Sequence, residues 1–191
     1  MSKYLLSFFV VLTYCWPCQA AVVEEGWQLH EERGYVFWQP KEWDNAAWKY
    51  TWTDSDDDDK TIITKDGMFL EFIEIRNRDF EGDDQFTKKK LSAEMAPREL
   101  AEIILDEWVT RGDFTNMTVH ENKPVTISGI PAFRAVLSYR EHCGLLHKVV
   151  YCGFIKDDKY FSIWYEAPAR HYFDKYLPIF EKVVQSFKLE E

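Results

Sequence analysis

Glycine and proline are scarce in this chain, 8 and 7 of 191 residues, and neither recurs at a fixed period. That excludes collagen-like and low-complexity architectures. A wholly disordered chain is excluded by an apolar content of 46%, because disordered chains lack the apolar surface to offset chain entropy. Clustered cations are also lacking. Against 23 basic residues stand 33 acidic ones, for a formal charge of −10 and a pI near 5.0. Phosphate recognition needs grouped lysine and arginine, so nucleic acid is not the expected partner. Past residue 20 no apolar run approaches the ~20 residues that cross a bilayer. No nucleophile elbow, P-loop, dinucleotide fingerprint or H-E-x-x-H string is present either. The sequence therefore displays no catalytic residue and calls for no cofactor.

What is present begins at the N-terminus. Lys3 precedes an apolar stretch from Tyr4 to Leu12, followed by Pro17 and the small residues Cys18 and Ala20. That is the layout of a secretory signal peptide over residues 1–20. It predicts a mature chain of residues 21–191 that is extracytoplasmic, in the periplasm, and not transmembrane after cleavage. A buried N-terminal helix is one alternative. A lipid anchor is another, but Tyr14 precedes Cys15 and Pro17 precedes Cys18, where lipoprotein processing wants a small residue. Cys143 and Cys152 remain in the mature chain. If Leu145 to Ile155 is a strand, they are separated by roughly 27–30 Å at ~3.3 Å per residue, against the ~7 Å a disulfide allows between Cα atoms. Cys152 then reads as a small buried hydrophobe and Cys143 as a turn residue. The set His142, Cys143, His147 and Cys152 lacks zinc spacing.

Along the mature chain, residues 34–40 read as a strand stopped by Pro40. Residues 47–53 alternate Trp48, Tyr50 and Trp52 with Ala47, Lys49 and Thr51, a strand with one aromatic face. Residues 67–76 predict a strand apolar on both sides, hence covered on both faces. Pro97 opens a helix whose Leu100, Ile103, Ile104 and Trp108 form one stripe, with Gly112 as its stop. Strands over 117–120, 125–127, 132–142, 145–155 and 160–166 follow. The turns between them, at 122–124, 128–131, 143–144 and 157–158, make an antiparallel meander. Pro178 starts or kinks a C-terminal helix with Ile179, Phe180, Val183, Val184 and Phe187 on one face. The expected fold class is α+β: a single domain, mostly an antiparallel sheet covered by helices.

Two segments are candidate binding surfaces. Trp38, Trp43, Trp48 and Trp52 belong to an aromatic-rich stretch that either packs in the core or forms a partner platform. Asp56, Asp57, Asp58 and Asp59 form an acidic run that fails as a calcium loop, with Asp59 and Lys65 where glycine and glutamate are needed. It reads as a solvated turn able to steer a cationic partner. Asn116-Met117-Thr118 is a glycosylation sequon, meaningful only on a eukaryotic secretory route.

The segment Gly34-Tyr35-Val36-Phe37-Trp38-Gln39-Pro40-Lys41-Glu42-Trp43 resembles the opening of the PsbP-like family, named for an extrinsic photosystem II subunit. Tyr160-Phe161-Ser162, Ala167 and the closing Val183-Val184-Gln185-Ser186-Phe187 are similar to that family's ending, and Ser128-Gly129-Ile130-Pro131-Ala132 fits its hairpin. The resemblance implies an α-β-α sandwich and a non-enzymatic role in binding or stabilising other proteins. The expectation is thus a secreted, non-catalytic binding or scaffold domain whose partner is another envelope protein, cationic where it meets the acidic run. The rival reading is a hydrolase-like envelope enzyme whose site is assembled only in space.

Overall fold

The computed structural model describes residues 25–32, 34–45, 60–79, 90–111 and 115–190. The signal-peptide expectation for residues 1–20, the 47–53 strand expectation with Trp48 and Trp52, and Asp56 to Asp59 lie outside the described residues. In chain order the elements are β1 (Trp27–Glu32), β2 (Tyr35–Pro40), β3 (Asp44–Asn45), β4 (Lys60–Thr64), β5 (Phe72–Asp79), α1 (Pro97–Arg111), β6 (Thr115–Ile127), β7 (Ile130–Arg140), β8 (Leu146–Lys156), β9 (Lys159–Pro168), α2 (Tyr172–Ser186) and β10 (Lys188–Leu189).

Alternation of side chains along β7, β8 and β9 organises the molecule. On one face Phe133, Ala135, Leu137, Val149 and Tyr151 meet Leu100, Ala101, Ile104 and Leu105 of α1. On the other, Ala132, Val150, Cys152, Ile163 and Tyr165 meet Phe173, Tyr176, Phe180 and Val183 of α2. These strands belong to a seven-stranded sheet of order β3-β4-β5-β9-β8-β7-β6, and a second sheet runs β1-β2-β10. Every pairing is antiparallel. The small sheet sends Tyr35 and Phe37 into the core shared with α2, where Tyr35 stacks on Phe187. Helix, sheet, and helix with a small sheet make an α-β-α sandwich. It is the α+β fold that the sequence predicts. Arg78 of β5 pins α1 through Glu107 at 3.2 Å and lies over the Tyr160 ring.

Three boundaries differ from the sequence expectation. Residues 122–124 make no turn: β6 runs unbroken through Pro124, with register shifts between Thr115 and Thr118 and between Val119 and Glu121. Among the described residues β6 is an edge strand of the sheet, the position in which a strand tolerates proline. Residues 67–70 are a turn rather than strand. Gly67 takes φ +109° there and its carbonyl accepts from Leu70 N–H at 2.7 Å, so the strand begins at Phe72. The C-terminal helix starts at Tyr172, six residues before Pro178. Pro178 faces solvent, where losing one helical hydrogen bond costs least.

Cys143 and Cys152 are both free, one exposed and one buried. Burial pushes the Cys152 thiol up to about 12, so it is no thiolate at neutral pH and acts as a small hydrophobe.

Candidate functional site

The aromatic candidates separate. Trp38 is half-buried on β2, and its backbone N–H donates to Ser186 Oγ of α2 at 2.9 Å. Trp43 is 1% exposed and packs edge-on against Tyr176 at 5.4 Å, with its indole N–H buried and without an acceptor. Trp43 is therefore a core residue and is corrected out of the platform. The short chain from Pro40 to Asp44 turns it under the sheet, its N–H bonding back to Pro40.

The same end of the sandwich shows what the sequence concealed. The turn joining β4 and β5 carries Phe69, 79% exposed, and Leu70, also exposed. Its geometry is imposed by Glu71, which is fully buried. One carboxylate oxygen, Oε1, accepts from the backbone N–H groups of Lys65 at 2.7 Å and Asp66 at 2.9 Å. The Thr64 hydroxyl donates to the Glu71 carbonyl at 2.7 Å and accepts from Gly67 N–H at 3.0 Å. Burial pushes the Glu71 carboxyl above its ordinary range, against the pull of those N–H bonds. On the α2 side Tyr176 donates to Asp66 at 2.6 Å, and the Lys175 ammonium sits 4.4 Å from the Tyr176 ring centre. A desolvated carboxylate thus holds the turn that carries the largely exposed Phe69.

Two further polar groups bear on the enzyme reading. Tyr139 donates to Glu166 Oε1, and His147 Nδ1 lies 3.0 Å from the same oxygen. His147 Nε2 is 3.0 Å from Glu141 Oε1, an ion-pair separation whose angle makes no hydrogen bond. Burial, then the Glu166 charge, raises the Tyr139 phenol, so it stays a donor. This cluster is buried and ties β7, β8 and β9 together. Across β6 and β7, His120 Nε2 meets Ser138 Oγ at 2.7 Å. Among the described residues no carboxylate stands behind that imidazole, the part a triad requires. Nor do the described residues hold a group of three or more His, Cys, Asp or Glu side chains able to bind a metal ion.

Glu74 of β5 provides a pH test of the sheet. It is buried, and desolvation raises its carboxyl, with Trp164 and Lys60 pulling the other way. A carboxyl raised in the fold binds its proton more tightly there than in the unfolded chain. Its contribution is therefore full below the ordinary carboxylate value and is lost as pH rises through the raised one. Glu74→Gln should melt above the parent at pH 8 and level with it near pH 4. Thermal melts across that range check this, and a lower melting point at pH 8 would contradict it.

No protein-family model and no curated protein sequence matches the chain. Solved structures do match it. The cyanobacterial PsbP (CyanoP) of Synechocystis sp. PCC 6803 superposes with a TM-score of 0.61 at 12% identity, over 89% of this chain and 96% of that one. The Ran-binding protein Mog1p of Saccharomyces cerevisiae gives 0.55 at 10% identity, over 85% and 95%. A Bacteroides thetaiotaomicron structure gives 0.51 at 10% identity, over 87% of this chain and 48% of that chain. The fold is PsbP-like, at a distance in sequence that carries the architecture and no more.

Proposed function

We propose that this chain is an extracytoplasmic, non-catalytic binding domain that docks another envelope protein, with the β4–β5 turn as its anchor. One observation carries the reading: Phe69, 79% exposed, lies on a turn held by the buried Glu71 carboxylate. Pre-organised exposed aromatics are the usual energetic centres of interfaces, because little conformational entropy is lost when they bind. The structural neighbour whose description names binding, Mog1p, supports the class of activity and not the partner. The extracytoplasmic location rests on the signal-peptide pattern of residues 1–20, and sequencing of secreted material should begin near Ala21.

The acidic run supplies the second element. Charges on Asp56 to Asp59 would steer a cationic partner, and such steering is screened beyond about 8 Å at physiological salt. Replacing those four residues by Asn should slow association severalfold at low salt and leave the melting temperature unchanged. Association rates at low and high salt check this, and rates that do not respond to salt would remove the acidic run from the interface. The hydrolase-like reading makes a separate demand: Ser138→Ala would have to abolish a measured turnover.

A further inference from the structure

His147, the second residue of β8, is buried with a carboxylate at each ring nitrogen. Nδ1 lies 3.0 Å from Glu166 Oε1 of β9, and Nε2 lies 3.0 Å from Oε1 of Glu141, the residue that follows β7. The two carboxylates are held differently. Glu166 is buried and takes the Tyr139 hydroxyl on the same oxygen, while the Tyr139 ring stacks on the imidazole at 5.4 Å. Glu141 is half-exposed and organises the tip of the β7–β8 hairpin. Its N–H donates to the Leu145 carbonyl at 3.0 Å, and its carbonyl accepts from Gly144 N–H at 2.8 Å. Its second carboxylate oxygen, Oε2, accepts from the Cys143 thiol at 3.2 Å.

A neutral imidazole carries one N–H and one lone pair. With the proton on Nδ1, the Nε2 lone pair faces Glu141 Oε1; with the proton on Nε2, the Nδ1 lone pair faces Glu166 Oε1. Between two ionised carboxylates, only the imidazolium turns an N–H toward both. Loss of the ring proton therefore breaks one side, and the side that yields is Glu141. Glu166 is buried and keeps Tyr139 and the Nδ1 proton, whereas Glu141 can turn to water. The other charged groups around the pair are Glu74 of β5, whose carboxyl feels the Glu166 charge, and Arg140, which donates to the Gly144 carbonyl at 2.9 Å. Lys148, next along β8, lies over the Phe173 ring at 5.2 Å. His142 is the other imidazole on the tip and is exposed, so it requires its own control.

We propose that His147 is a proton-operated lock on the β7–β8 hairpin tip. Charged, it holds Glu141 and keeps the tip closed; neutral, it releases Glu141 together with the Cys143 thiol. The stabilisation is present at the lower pH and is lost as pH rises through the titration of the ring, the sense expected of a histidine that gains carboxylate partners on folding. The lock neither uses nor requires the β4–β5 turn.

NMR titration of the chain from pH 5 to pH 8.5 tests this, with the histidine rings and the tip amides followed together. The Gly144 and Leu145 amides should shift in step with the His147 ring. Protection of the Gly144 amide against exchange should fall about threefold as that ring loses its proton, the scale of a half-exposed ion pair. The Val149 and Tyr151 amides should stay protected throughout. Glu141→Gln keeps the size of a half-exposed side chain, so it should fold normally. It should uncouple Gly144 protection from the ring and let His147 lose its proton at a lower pH than in the parent. His142→Asn should change neither result. Gly144 protection that follows His142, or that stays constant across the titration, would overturn the proposal. So would a His147 ring that titrates at the same pH in the parent and in Glu141→Gln.

Discussion

Replacing Phe180 by alanine should destabilise the domain by about 3–5 kcal/mol, a large part of the 5–15 kcal/mol that holds a typical domain folded. Phe180 is fully buried, stacks on Tyr165 at 5.8 Å, and lies midway along the α2 face that covers β9. Neighbours on both sides are anchored in strands, so the vacated space cannot collapse cheaply. Phe180→Leu should recover more than half of the loss. Urea denaturation of the three proteins measures this directly. If Phe180→Ala unfolds at the same midpoint as the parent, the placement of α2 against the sheet is wrong.

Glu71 is expected to give the second large effect, and a more informative one. Glu71→Ala removes the acceptor of two backbone N–H groups, those of Lys65 and Asp66. Leaving such groups unpaired should cost about 2–4 kcal/mol in all, less whatever water recovers. Glu71→Gln keeps an oxygen at the Oε1 position and should cost about 0.5–1.5 kcal/mol. It also relieves the desolvation of the charge, so its deficit should shrink as pH rises. Hydrogen exchange at Lys65 and Asp66 distinguishes turn release from general destabilisation. In Glu71→Ala those two amides should exchange much faster while the β8 amides stay protected. Equal acceleration across the sheet would mean that Glu71 supports the whole fold and not this turn.

The sequence revealed most where one periodicity governs a long segment. Leu100, Ile104 and Trp108 lie on the α1 face that meets the sheet, where Ala101 and Leu105 join them in place of Ile103, and β8 and β9 fall within a residue or two of expectation. It revealed least where a strand has little to bury. β1 shows solvent at Gln28, Leu29, Glu31 and Glu32 and turns only Trp27 and His30 partly inward, so no alternation marks it. β4 follows directly on the acidic run, which masks four buried residues from Thr61 to Thr64. The β4–β5 turn was hidden for a different reason. Phe69-Leu70-Glu71-Phe72 has a strand's composition, and only the folded backbone shows Lys65 and Asp66 N–H groups converging on Glu71. Of the residues singled out as binding, Trp43 was misassigned because a tryptophan's pattern does not tell a core contact from a platform.

The most direct test of the central claim compares three forms of the mature chain as bait in envelope extract. These are the parent, Phe69→Ala, and Val109→Ala at another exposed apolar position, on α1. All three should share one melting temperature, because neither side chain is buried. A binding domain anchored by the β4–β5 turn predicts one discrete partner retained by the parent and by Val109→Ala, and reduced at least about tenfold by Phe69→Ala, the loss of a central aromatic contact. An unchanged partner profile for Phe69→Ala would contradict it.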